Sequence, residues 1–172
     1  TGGKDRDVPS VRWRGFTHEA HKRAGWRMDI FKGPEGMSKT PRLKGLKLLG
    51  SANLKAVDLP NVGQFKRKVP ATPNDDFVWG IAGTLRVHKA GRYMFCTGSN
   101  NGSKMWIDGR LAVDNDGLHG ERQRCSWRHM FRGLHTIQTN GFERGGAANM
   151  EAKYYGPDTH KTLVFIPSLY ER

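Results

Sequence analysis

Along this chain, apolar and polar residues alternate in short runs that are cut off by Gly, Pro, Asn and Asp. Two-residue alternation places successive side chains on opposite faces of a strand, so each run reads as a strand with one face buried. Residues 25–33 place Trp26, Met28 and Ile30 on one face and predict a first strand. Residues 46–60 predict one or two short strands, broken at Gly50 and Ser51. Residues 77–87 predict a strand whose apolar beats are Ile81, Thr84, Leu85 and Val87, and residues 92–98 predict another. The run 104–113 folds back on itself at Asp108-Gly109, the dipeptide favoured by a two-residue hairpin turn. Further strands are predicted at 125–130, 134–142 and 150–155, and a short apolar run closes the chain. Residues 34–45, 60–76, 99–103 and 114–123 read as loops by their Pro, Gly and charge content.

Turn signals recurring about every 8–12 residues predict an all-β, two-sheet antiparallel sandwich or a barrel. Residues 1–24 lack alternation and read as an extended basic arm, with one helical turn over 17–23 capped by Thr17. The domain boundary is expected between this arm and residues 25–172. No internal repeat is present.

Composition narrows the picture. Twenty-two Gly and eight Pro agree with a turn-rich β chain, and five Trp, eight Phe and four Tyr supply the bulk of a core. No apolar run approaches the roughly 20 residues of a membrane-spanning helix. The net charge of +13 is concentrated at the front: residues 1–70 hold 16 Lys and Arg against six Asp and Glu, and the remainder 13 against ten. Such an excess suits nucleic acid, an anionic surface or an acidic protein. No zinc-finger, helix-turn-helix or RNA-recognition signature accompanies it, so a solvated basic face or an arm on an acidic partner is the simpler reading. The chain begins at Thr1 with no apolar leader, which suggests a processed or trimmed product.

The run Ala90-Gly91-Arg92-Tyr93-Met94-Phe95, followed by Ser99-Asn100-Asn101-Gly102-Ser103 and then Ile107-Asp108-Gly109, resembles the protective-antigen-type, or "PA-fourteen", β-sandwich family named after the anthrax toxin component. The resemblance continues through residues 113–120, Gly133-Leu134-His135, residues 141–147 and Tyr155-Gly156-Pro157-Asp158. It is good over residues 76–170 and looser from Gly25. It implies a non-catalytic recognition module, since family members include glycan-binding heads of adhesins, insertions in glycosidases and modules of extracellular proteins.

In the yeast adhesin members an adjacent Asp-Asp pair holds a calcium ion that in turn holds sugar hydroxyls. Here the matching positions are Asn100 and Asn101. Two amides keep carbonyl oxygens but remove two negative charges, and calcium affinity falls as charged ligands are lost. The resemblance therefore implies a ligand-binding set of Asn100, Asn101, Asn115, Asp116 and His119, and a weakened calcium site at Asn100, Asn101 and Asp116. A loop held by Asn side-chain hydrogen bonds to backbone is the alternative. Cys96 and Cys125, the only cysteines, flank these loops on predicted strands. In a family found mostly outside the cytosol they imply a disulfide and an extracytosolic location, the alternative being two buried thiols.

Other chemistry is sparse. His18 and His21 share a helical spacing without metal-binding companions, His135 reads as structural at a strand start, and Glu143 and Glu151 stand isolated. No nucleophile-base pair or paired carboxylates emerge, and the chain reads as non-enzymatic. Trp106 alternates with Met105 and Ile107, so one of these sets faces the core. A surface Trp at 106 or 127 would suit sugar stacking. Two functions stand: a lectin-like module whose 98–103 and 114–120 loops face a glycan, or a structural subunit docking through its basic arm and loops onto an acidic protein partner.

Overall fold

The computed structural model describes residues 25–169. The basic arm and its helical turn lie outside them. Among the described residues there are eleven strands: β1 (Trp26–Lys32), β2 (Leu48–Leu54), β3 (Asp58–Leu59), β4 (Phe77–Val87), β5 (Gly91–Ser99), β6 (Ser103–Ile107), β7 (Arg110–Asn115), β8 (Arg122–Met130), β9 (Gly133–Glu143), β10 (Met150–Tyr155) and β11 (Val164–Phe165). They form two antiparallel sheets. One runs β2-β1-β4-β9-β6-β7 and the other β11-β10-β5-β8, with β3 added on β10. This is the predicted sandwich.

Two local expectations need correction. Strand β2 runs through Gly50 and Ser51 unbroken, with a register shift opposite Ile30 and Phe31 absorbing the irregularity. Residues read as loop contain a short helix, α1 (Val62–Lys68). Its N-cap Asn61 accepts a hydrogen bond from the Gln64 N–H, the usual way to satisfy a first-turn donor. The helix exists to deliver Phe65, which is fully buried with its ring 5.3 Å from Phe77 and 5.4 Å from Trp79. At 105–107 the alternation holds: Met105 and Ile107 join the main core, and Trp106, on the opposite face, is buried beside the connection between β1 and β2.

The main core lies between the sheets, where Trp26, Met28, Ile30, Trp79 and Ile81 of one meet Tyr93, Phe95, Ala152 and Tyr154 of the other. Nearly every residue of β4 is buried, on both faces. Its outer face is covered by the connection between β1 and β2, whose Met37 and Leu43 pack with Phe31, Val78 and Phe142 in a second, smaller core. That connection matters for the site.

The β6–β7 hairpin turns at Asp108 and Gly109 with φ of 50° and 77°, the left-handed pair that a primed turn requires. Asp108 also accepts from the Thr136 N–H at 2.9 Å and from His135 Nδ1 at 2.6 Å. His135 Nε2 lies 2.7 Å from the Phe131 carbonyl. Both ring partners are acceptors, so the ring is best satisfied as imidazolium. Burial works against that charge, but Asp108 and the Phe131 carbonyl outweigh it and raise the pKa. A raised His pKa contributes stability that is complete below the unfolded value near 6.5 and disappears as pH rises through the folded value. Asp108 is half exposed, so the effect is expected to stay under about 1 kcal/mol. His135→Gln should remove that much of the stability difference between pH 5.5 and pH 8 in urea titrations. An unchanged difference would show that the pair carries no charge.

At the rim where the sheets meet, alternate side chains of β8 reach backbone carbonyls along β7 and just beyond it. Arg122 donates to Asp116 O at 3.2 Å, Arg124 to Asp114 O at 3.4 Å, Ser126 to Ala112 O and Arg128 to Leu111 O. On β8's other face, Cys125 is bonded to Cys96, its direct partner on β5, with Cα atoms 4.1 Å apart.

Candidate functional site

The loop between β5 and β6 is built from small residues tied to one another. Ser99 Oγ lies 2.7 Å from Ser103 Oγ and 2.8 Å from the Asn101 carbonyl. Asn101 adopts a left-handed φ of 61°, a conformation that Asn tolerates. Its N–H donates to the His119 carbonyl at 2.9 Å, joining this loop to the one after β7. Gly102 is required, since a Cβ there would fall 2.2 Å from Asp116 Oδ1 and 2.7 Å from the Phe142 ring. The two loops that the sequence singles out are thus in contact.

Their side chains divide into two groups. Asn101 is buried and its amide donates to Glu143 Oε1 at 3.1 Å. Asn115 is fully buried and its amide is consumed by Arg122, donating to the carbonyl at 2.9 Å and accepting from Nε at 2.8 Å. Both ring nitrogens of His119 face backbone carbonyls, Gly120 at 2.7 Å and Asn115 at 2.8 Å. The Asn100 N–H donates to the Asn149 side chain. These groups shape the loops from within. Asp116 differs: Oδ1 accepts from the Thr40 N–H and hydroxyl, both at 2.8 Å, and Oδ2 lies 3.5 Å from Lys104 Nζ.

Through these bonds Asp116 holds the β1–β2 connection over β6 and β9. Between them opens a cleft of about 180 Å³, lined by Lys39, Thr40, Pro41, Arg42, Lys104, Trp106, Asp116 and Asn140. Trp106 is only 4% exposed and its indole N–H finds no acceptor. It presents little ring face for stacking. Among the described residues Trp127 is the exposed tryptophan, on the outer face of the other sheet, with Arg92 5.0 Å over its ring. The sequence pointed to Asp116 and Trp106 alone among the lining residues. The others come from the long connection or are lone polar residues on β6 and β9, and no local motif marks them.

Glu143, isolated in sequence, is buried beside Asn101. Burial pushes its carboxyl up to about 7, with Asp75 adding to the effect and the Gly145 N–H and Asn101 amide opposing it. Its Oε2 is buried without a partner.

The donors here do not fit calcium. An Asp at position 101 would set two carboxylates against each other, an arrangement that a cation relieves. Asn101 instead gives Glu143 a neutral donor and the pair closes on itself. The Asp116 carboxylate is turned to Thr40 and Lys104. Among the described residues no three His, Cys, Asp or Glu are grouped to hold a metal ion.

The PA14 domain model matches residues 58–164. Among solved structures, a PA14 sugar-binding domain from an RTX adhesin is similar at 15% identity and a TM-score of 0.68, over 86% of this chain and 99% of that one. An epithelial adhesin 9 to 1 subtype-switched A domain from Candida glabrata, solved with β-lactose, aligns at 14% identity and TM-score 0.62, over 86% and 88%. An anti-sigma factor domain-containing protein aligns at 15% identity and TM-score 0.68, with this chain spanning 47% of its length. These likenesses concern the fold. No curated protein matches the chain by sequence.

Proposed function

The chain belongs to the PA14 domain family, and from that membership we propose a non-catalytic, lectin-like module that binds glycan where residues 98–103 and 114–120 meet the β1–β2 connection. The observation that carries this reading is the cleft at Asp116. It gathers a carboxylate, an amide, a hydroxyl and three cations around a buried tryptophan, the mixture of groups that a polyhydroxylated ring engages. The two sugar-binding relatives align over most of this chain and support it. In this reading Asp116 contacts the ligand, while Asn100, Asn101, Asn115 and His119 hold the loops in shape. The disulfide, a bond that persists in oxidising compartments, supports an exported or lumenal location.

A glycan array read with millimolar calcium and again with EDTA tests the proposal. Retention of at least one saccharide class, unchanged by EDTA, is expected. No retention under either condition ends the lectin reading.

A second reading, an assembly subunit, is favoured by the aromatic groups on and beyond β8. Trp127 is 49% and Phe131 71% exposed. Side chains of this size gathered on one surface mark contacts with other proteins. Stoichiometric co-elution with a large complex in gentle extracts of the source would put this reading first.

A further inference from the structure

We propose that the end of the sandwich formed by the β4–β5 and β8–β9 turns is a contact surface for an anionic phospholipid bilayer, with Phe131 as its apolar anchor. The inference goes beyond the lectin reading and does not depend on it. Strand register brings the two turns together. Val87 pairs with Gly133 in one sheet and Gly91 with Met130 in the other, so residues 88–90 and 131–132 cross between the sheets side by side. Both crossings are fastened. The Asp158 carboxylate accepts from the His88 and Lys89 N–H groups at 2.7 and 3.1 Å, and the Lys89 carbonyl accepts from the Tyr93 hydroxyl at 2.7 Å. The Phe131 carbonyl lies 2.7 Å from His135 Nε2.

On this fixed base stands Phe131, 71% exposed, with the His129 ring edge-on to it at 5.3 Å. Leu134, also exposed, follows on β9. Lys89 and Arg132 lie on the two crossings, and Lys161 lies just past the Pro157–Thr159 turn that carries Asp158. All three are exposed, and none of their side chains has a hydrogen bond or ion pair among the described residues. Of the described acids at this end, Asp158 is taken by two backbone N–H groups and Asp108 by His135 and the Thr136 N–H. The result is an aromatic ring held out into solvent beside unpaired cations. A single apolar anchor binds a membrane only marginally, and a basic patch supplies the second signal that makes the contact stable. Each Lys or Arg at an anionic leaflet strengthens binding by about fivefold. One ring and one leucine offer too little apolar area for a protein interface of standard size. Strand β5 leads away from this end. Its nine residues run about 30 Å from Gly91 to Ser99, so a molecule seated here turns the 98–103 loop away from the bilayer.

The test is flotation of the whole chain with two kinds of vesicle, phosphatidylcholine alone and phosphatidylcholine with about one-third phosphatidylserine. Affinity for the anionic vesicles should be higher by about tenfold or more and should fall as salt rises. Phe131→Ser should weaken it about tenfold, and Phe131→Leu should keep it. Lys89→Gln/Arg132→Gln should weaken it about twentyfold. These side chains are exposed, so the melting temperature should not change. Arg67→Gln/Lys68→Gln removes the same charge from α1 and should leave affinity within about threefold of the parent.

Equal affinity for the two vesicles, or no binding to either, overturns the inference and leaves the lectin reading standing, since neither vesicle carries a glycan. An equal loss from the two double variants would reduce the effect to net charge and overturn the surface. Full binding by Phe131→Ser would do the same. So would loss, in Phe131→Ser, of co-elution with a large complex from the source, by assigning the ring to a protein contact.

Discussion

Cys96→Ser/Cys125→Ser is expected to lose about 3–4 kcal/mol of unfolding free energy, close to 10 °C in melting temperature for a chain of this size. The two cysteines are 29 residues apart in sequence and directly opposite each other on β5 and β8. The segment between them contains the β6–β7 hairpin and both loops of the candidate site. In the unfolded chain the bond forbids the many conformations in which this segment is extended, and the loss on removing it follows from restoring that freedom. The folded state loses little, because strand pairing already holds the two positions together. Cys125 is exposed, so reductant should reproduce the effect without denaturant, and intact mass should rise by about two daltons on reduction. Urea titration of the double variant measures the loss. A value below about 1 kcal/mol would mean that the unfolded chain is already ordered in this region.

The second large effect is a pH dependence that resides in one carboxyl group. Glu143 is raised from 4.5 to about 7 chiefly by burial. The folded state therefore binds its proton more tightly than the unfolded chain does. Stability from this source is complete below pH 4.5 and is lost as pH rises through about 7, the reverse of an acid held in a salt bridge. A difference of this size corresponds to about 3 kcal/mol between pH 4 and pH 9.

Glu143→Gln keeps an oxygen for the Asn101 amide and the Gly145 N–H and places a neutral group where Oε2 has no partner. The variant should match the parent near pH 4 and exceed it by about 2–3 kcal/mol at pH 9. Parallel pH profiles for the two proteins would show that Glu143 is solvated or paired in solution. Asn101 belongs to the same argument, since it is the neutral donor that keeps the buried carboxylate tolerable at all.

How much of this was legible in the sequence depended on how local each cause is. The Asp108-Gly109 hairpin was readable because its backbone requirement falls on the two residues that satisfy it. The two-sheet architecture was readable because alternation and turn spacing repeat along the chain. Helix α1 was not, because seven residues with one buried side chain give no periodicity, and its reason for existing is the contact of Phe65 with Phe77 and Trp79. The residue types of the site loops were visible, but their assignments were not. Nothing in a row of Asn and His residues tells whether an amide faces solvent or is spent on Arg122. The cleft was out of reach, since it depends on Thr40 meeting Asp116 across 76 residues. That meeting depends in turn on Met37 and Leu43 anchoring the connection over β4.

The row of β8 side chains that reaches the carbonyls of β7 also governs how copies of this molecule can join. A sheet edge with unpaired carbonyls is a template on which another chain can lay a strand, and strand addition of this kind builds fibres. Here the acceptors at Leu111, Ala112 and Asp114 are already taken by Arg128, Ser126 and Arg124. An incoming strand would have to displace charged or hydroxyl donors before it could pair. Sheet extension between molecules is thus discouraged along β7, which forms the edge of the six-stranded sheet opposite β2.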